Sequence, residues 1–327
     1  MTQANESITS DSQLRFDGRV AIVTGAGRGI GRDHALLLAS RGAAVMVNDL
    51  GGGAFGGGAS REPAEQVVAE IRDAGGTASL NFADVSSEAA TSELVAQTFK
   101  EFGRVDIVVN NAGIGRFQPF DSMSLEEFEL MLKVHTVGTF LVTRAAWPHM
   151  VEQGFGRIIM TSSNGMVGLP HLSHYSAAKA GVYGFMKSLS IEGSRHGINV
   201  NALWPNATTP LSTTMNAETE AIPPELSVID PASTPTDLDG SPHHISPVVA
   251  WLAHESCEVT GEVFHAGYGG VTRVFMAQGP CFASSDLTIE AVADHWADIN
   301  REQPFTAAPS TLVAARDLQL AIATQLK

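Results

Sequence analysis

The chain has 327 residues, 44% of them hydrophobic and 17% charged, enough apolar material for one large core and too much for a mostly disordered protein. Its 20 basic and 35 acidic side chains give a formal charge of −15, a field that repels phosphate backbones and anionic headgroups. Nucleic acid and membrane surfaces are therefore excluded as expected partners, and no apolar run approaches the roughly 18 residues that span a bilayer.

Residues 1–14 are polar and read as a disordered N-terminal arm, without the apolar stretch of a signal segment. From Arg19 onward short β-branched runs alternate with segments of helical length. Val20–Val23, Val45–Val47, Ala78–Phe82, Ile107–Val109, Ile158–Met160 and Ile198–Val200 are expected to be strands buried on both faces. Ser124 to Glu127 form a capping box opening a helix, along which Phe128, Met131, Leu132 and His135 recur at helical spacing. The βαβα rhythm predicts an α/β fold: a doubly wound parallel sheet of Rossmann type, helices on both faces, binding its ligand at the C-terminal strand ends. Residues 15–270 form the expected dinucleotide-binding catalytic domain. Within it, 208–246 reads as an aperiodic substrate loop, Val248–Ala253 as a helix and Glu262–Ala266 as a last strand. Residues 271–327 form an expected helical extension with two amphipathic candidates, around Ile289, Val292, Trp296 and Ile299 and around Leu312, Leu318, Ile322 and Leu326. The extension packs either on its own domain or over a neighbouring subunit.

The first βα junction carries Thr24-Gly25-Ala26-Gly27-Arg28-Gly29-Ile30-Gly31. Gly25 permits a tight turn, Gly29 admits the backbone to a pyrophosphate, and Gly31 lets the helix pack on the sheet. The helix amides and dipole then favour the phosphates. Asp49, 18 residues beyond Gly31, can accept both ribose hydroxyls of NAD, whereas a 2′-phosphate would meet like charge. NAD is the expected cofactor; Arg28, able to pair with a 2′-phosphate, is the opposing signal.

The GxxxGxG spacing resembles the short-chain dehydrogenase/reductase superfamily. Further ordered motifs share the resemblance: Asp84-Val85, Asn110-Asn111-Ala112-Gly113 and Tyr175-Ser176-Ala177-Ala178-Lys179. Over roughly Arg15 to Gly270 the resemblance implies adenine contacts at Asp84 and Val85, Asn111 beside the adenosine ribose, and cofactor contacts from Ala112, Gly113 and Pro205. It also implies Tyr175 as acid/base, Lys179 as its partner, and Ser162, 13 positions upstream of Tyr175, as the group that orients the substrate oxygen, with Ser163 as the neighbour to watch. Tyrosine titrates near 10, so a neighbouring ammonium is expected to favour the phenolate. Tyr183 and Lys187 repeat the Tyr-x3-Lys spacing, but eight residues displace them about 12 Å and about 80° along a helix, so both pairs cannot serve one nicotinamide. The family's helix asparagine is replaced by His135, either a half-buried structural residue or a participant in the proton relay.

Asn48-Asp49-Leu50-Gly51-Gly52, the His135 segment, Thr143-Arg144-Ala145-Ala146-Trp147, Pro205-Asn206-Ala207 and His254-Glu255-Ser256-Cys257 resemble one subgroup, the (3R)-hydroxyacyl-CoA dehydrogenase domain of the peroxisomal multifunctional enzyme. That resemblance implies oxidation of a 3-hydroxyacyl-CoA or a hydroxysteroid-like alcohol. The 208–246 loop does not share it, and too few residues follow for a hydratase domain. A ketone reductase for polyketide- or terpenoid-like substrates and a catalytically silent NAD-sensing protein are the alternatives. Gly51–Gly58 reads as a flap near the adenosine or a plain flexible loop. His171, His174, His243 and His244 are not paired with carboxylates in a way that specifies a metal, and none is expected. With Cys257 and Cys281 forming no disulfide framework, the expected setting is the reducing cytoplasm. The expected assembly is a homo-oligomer, dimer or tetramer.

Overall fold

The computed structural model describes residues 13–219, 235 and 237–326. Most of the arm expected at 1–14, and the middle of the 208–246 segment, lie outside the described residues. In chain order the elements are β1 (Val20–Thr24), α1 (Gly29–Ser40), β2 (Ala44–Asn48), α2 (Glu62–Asp73), β3 (Thr77–Asn81), α3 (Glu88–Phe102), β4 (Ile107–Asn110), α4 (Leu125–Leu132), α5 (Gly138–Gln153), β5 (Gly156–Thr161), α6 (Ser173–Gly193), β6 (Ile198–Asn206), α7 (Pro210–Thr219), α8 (Ser246–Ala253), β7 (Val263–Gly267), β8 (Gly270–Val274), α9 (Ile289–Asp294), α10 (Trp296–Ile299) and α11 (Thr311–Gln325).

The sheet order is β3-β2-β1-β4-β5-β6-β7-β8, and the pairs from β3 through β7 are parallel. The order reverses between β1 and β4, opening a crevice at the strand C-termini where doubly wound sheets bind ligands. Strands β1 and β4 are buried at every position, which explains their uninterrupted apolar runs. Ile22, Ile107, Ile158 and Ile159 are at most 1% exposed, each contributing roughly 1.5–3 kcal/mol of burial. All seven expected strands through Ala266 exist, with ends shifted by up to two residues except at the sixth, which runs on to Asn206.

Three elements depart from expectation. The helix opened by the Ser124–Glu127 capping box passes into a π turn, Lys133–Val137, before α5, so His135 sits in a widened turn and not on a regular helical face. The segment taken as aperiodic holds α7 and a 3₁₀ turn at Pro242–His244. Thr209 before Pro210 is the start signal for α7: its hydroxyl accepts the amide of Ser212 at 3.0 Å. The first amphipathic candidate of the tail is two short helices broken at His295.

The chain divides into two compact units between Thr272 and Arg273, inside β8. The smaller unit is tied internally by Gln325, which donates to the Cys281 carbonyl at 2.6 Å and accepts the Ala283 amide at 2.8 Å, and by Phe282 stacked on His295. No helix among the described residues is long and apolar enough to cross a membrane.

Candidate active site

A cleft of about 430 Å³ opens at the C-terminal ends of the central strands. Gly25, Arg28, Gly29, Ile30 and Gly31 line it from the β1–α1 turn, Asp49 from the end of β2, and Asp84 and Val85 from the loop after β3. Asn111, Ala112 and Gly113 line it beyond β4, and Ser162, Tyr175, Lys179, His135 and Pro205 complete the wall. Residues from widely separated parts of the sequence are thus gathered around one space.

At one end the glycine turn is built to tight tolerance. A Cβ at Gly31 would overlap both the Gly25 carbonyl oxygen and the Asn111 amide. Asn111 Nδ2 donates to the carbonyls of Thr24 and Gly25 at 2.9 and 3.1 Å, so this side chain braces the turn from β4. Asp49 is fixed in the same way: Oδ2 accepts the Gly27 amide at 2.7 Å and Oδ1 the Gly51 amide at 2.6 Å. Each oxygen keeps a further lone pair for a ligand hydroxyl. The cradle fits a dinucleotide, since the space a side chain would fill is kept clear and a fixed carboxylate stands at the end of β2. Beyond Asp49 the lining takes in Gly52, Ala54 and Gly56, from the segment read as a flap or a plain loop, and Ile114, Leu130 and Val134, which sequence reasoning missed.

At the other end, Lys179 Nζ donates to the Thr161 carbonyl at 2.7 Å and lies 5.5 Å from the centroid of the Tyr175 ring. Burial pushes the amine down to about 7. Burial also pushes the Tyr175 phenol up. The opposing influence on Tyr175 is a hydrogen bond from Ser163.

The two serines after β5 face different ways. Ser162 is 1% exposed and its hydroxyl donates to the Lys179 carbonyl at 2.9 Å. Ser163 is partly exposed, and both line the cleft. Counting 13 residues back from Tyr175 selects Ser162, but the alternation of side chains along an extended chain turns its neighbour toward the phenol.

His135 is buried, with Nε2 2.7 Å from the Ile114 carbonyl and Nδ1 unpartnered. Its ring meets Tyr175 edge-on, centroids 5.3 Å apart. Burial, with the Lys179 charge, holds its pKa well below the usual histidine value, so the ring is neutral. Tyr183 and Lys187 lie outside the cleft, the lysine donating to the Gly261 carbonyl at 2.8 Å.

Residues 19–222 match the family described as short chain dehydrogenase. The chain belongs to the short chain dehydrogenase family. Among the relatives of this short chain dehydrogenase is peroxisomal multifunctional enzyme type 2 of Mus musculus, 43% identical over 92% of this chain and 40% of the relative. The chain thus spans about two fifths of that protein's length. Hydroxyacyl-CoA dehydrogenase ChsB1 of Mycobacterium tuberculosis is 35% identical over 94% of this chain and 98% of its own. A solved structure of a short chain dehydrogenase from Mycobacterium paratuberculosis bound to NAD superposes with a TM-score of 0.71, at 29% identity over 78% of this chain and 98% of that one.

Proposed function

We propose that this short chain dehydrogenase is an NAD-dependent oxidoreductase interconverting a secondary alcohol and a ketone, with a 3-hydroxyacyl-CoA or hydroxysteroid-like substrate. The observation that carries this reading is one continuous cleft holding a glycine cradle and Asp49 at one end and Tyr175, Ser163 and Lys179 at the other. The NAD-bound structural neighbour and the hydroxyacyl-CoA relative support it.

Bound NAD would supply the hydride acceptor. Tyr175 takes the proton of the alcohol in oxidation and returns it in reduction, and Ser163 orients the substrate oxygen against the phenol. Ser162 holds the backbone of α6 in place through the Lys179 carbonyl. Lys179 sets the charge beneath the Tyr175 ring, and His135 fixes the ring's edge. Gly25, Arg28, Gly29, Ile30 and Gly31 hold the pyrophosphate. Asp49 holds the adenosine ribose, Asp84 and Val85 the adenine, and Ala112, Gly113 and Pro205 flank the rest of the cofactor, with Asn111 bracing the turn. A panel of hydroxyacyl-CoA thioesters, steroids, terpenoid alcohols and small alcohols, followed by NADH absorbance, tests the reading. Turnover confined to terpenoids would redirect the substrate class, and NAD binding without turnover of any alcohol would leave a silent sensor.

We read residues 15–270 as the catalytic domain and 271–327 as a helical extension, which the division after Thr272 supports. Cys257 and Cys281 are both free thiols, which supports a reducing compartment, and we propose the cytoplasm; the peroxisome belongs to the names of the relatives. Exposed Val137, Phe140 and Ile191 on the α5 and α6 side support a homo-oligomer, which sedimentation will test.

A further inference from the structure

Outside the cleft, a second cluster joins residues that spacing did not pair. Asp239 stands four residues before His243, and both approach His244. Asp239 Oδ2 lies 3.1 Å from His244 Nε2 and 3.9 Å from His243 Nε2, and the three ligand atoms fall within 4.8 Å of one another. A tetrahedral zinc centre with bonds near 2.0–2.1 Å separates its ligand atoms by about 3.3 Å, so small side-chain rotations bring these atoms to that spacing.

The surroundings orient the donors. Asp239 Oδ1 accepts the Ser241 amide at 2.9 Å, which leaves Oδ2 facing the imidazoles. His243 Nδ1 lies 2.7 Å from Ser241 Oγ; with the proton on Nδ1, donated to that hydroxyl, the Nε2 lone pair points at the cluster. The two rings lie with centroids 4.1 Å apart. The groups facing the cluster include Asp33 of α1, which feels the field of His243.

We propose that Asp239, His243 and His244 form a zinc-class divalent metal site with a fourth position open to water. Two imidazoles and one carboxylate are the borderline donors that zinc prefers over calcium or magnesium. The metal would fix the turn whose Gly240 carbonyl accepts the Thr208 amide at 2.6 Å, immediately before the cleft-lining residues Thr209 to Ser212. The site plays no part in hydride transfer, so its failure would leave the dehydrogenase reading intact.

The test is calorimetric titration of zinc chloride into the full chain, prepared without an affinity tag and stripped of metal, with the cobalt(II) visible spectrum as a second readout. One zinc per chain is expected, with tetrahedral-type cobalt bands. His243→Ala and His244→Ala should each weaken zinc at least tenfold, and Ser241→Ala should weaken it by about tenfold at unchanged stoichiometry. His171→Ala is the control and should bind as the parent does. His243 is exposed and Ser241 and His244 are half-buried, so these variants are expected to keep the parent circular dichroism. No saturable binding, or zinc affinity unchanged in the His243→Ala/His244→Ala double variant, would overturn the site.

Discussion

Lys179 Nζ donates to the carbonyl oxygen of Thr161 at 2.7 Å, tying the middle of α6 to the last residue of β5 directly beneath the Tyr175 ring. The amine therefore has two duties, bracing the strand end and supplying charge to the site. Lys179→Met removes both. Turnover is expected to fall by about 10² or more, the scale of losing a group that supports acid/base catalysis. Stopped-flow reduction of NAD checks it, and a variant retaining half the parental rate would remove lysine from the mechanism.

Tyr175→Phe is expected to abolish turnover while NAD still binds, because the ring and its packing against His135 are kept and only the hydroxyl is lost. Tyr183→Phe is expected to retain most activity, since Tyr183 lies outside the cleft. Steady-state rates alongside calorimetric NAD binding separate the two, and the reverse pattern would exchange the assignments.

The two serines make an internal contrast. Ser163→Ala should lower kcat by roughly 10- to 100-fold with little effect on melting temperature. Ser162→Ala should lower the melting temperature, because it removes a buried hydrogen bond to the Lys179 carbonyl, a cost of about 0.5–1.5 kcal/mol. If Ser162→Ala alone loses turnover at unchanged stability, the substrate contact belongs to Ser162.

Asp49→Asn should weaken NAD about tenfold or more while weakening NADP less or improving it. The carboxylate charge near a 2′-phosphate is removed, whereas Oδ1 can still accept an amide. Equal losses for both cofactors would show that the amide bonds to Gly27 and Gly51, and not the ribose, account for the effect.

His34 is 1% exposed on α1, its Nδ1 2.8 Å from Ser246 Oγ at the start of α8, and burial pushes its pKa down to about 3. The unfolded chain takes up this proton near 6.5, before the folded chain does, so the stability contributed by the neutral ring is complete above about 6.5 and declines as pH falls toward 3. The displacement corresponds to at most about 5 kcal/mol. Urea midpoints across this range should fall less steeply for His34→Gln than for the parent, and parallel curves would remove His34 as the acid-labile group.

Much of the scaffold was legible because its signals are local. The β-branched runs at Val20, Ile107 and Ile158 and the capping box at Ser124 each state their structure within a few residues. The helix at Pro210 carried its start signal as well, in Thr209 and Pro210, and was obscured by the polar composition around it. The glycine turn, Asp49, Tyr175 and Lys179 reach one cleft because the parallel topology delivers the C-terminal strand ends to one edge.

From the sequence alone came the doubly wound sheet and the dinucleotide cradle, since repeating apolar patterns and obligatory glycines depend on backbone geometry near in the chain; the tyrosine and lysine came from the resemblance to the short-chain dehydrogenase family. Only the tertiary structure decided which serine meets the Tyr175 phenol, that burial dominates the titration of Tyr175 and Lys179, that His135 sits in a π turn, and that Asp239 faces two imidazoles. Facing and desolvation are set by packing between segments distant in sequence, and no local pattern encodes them.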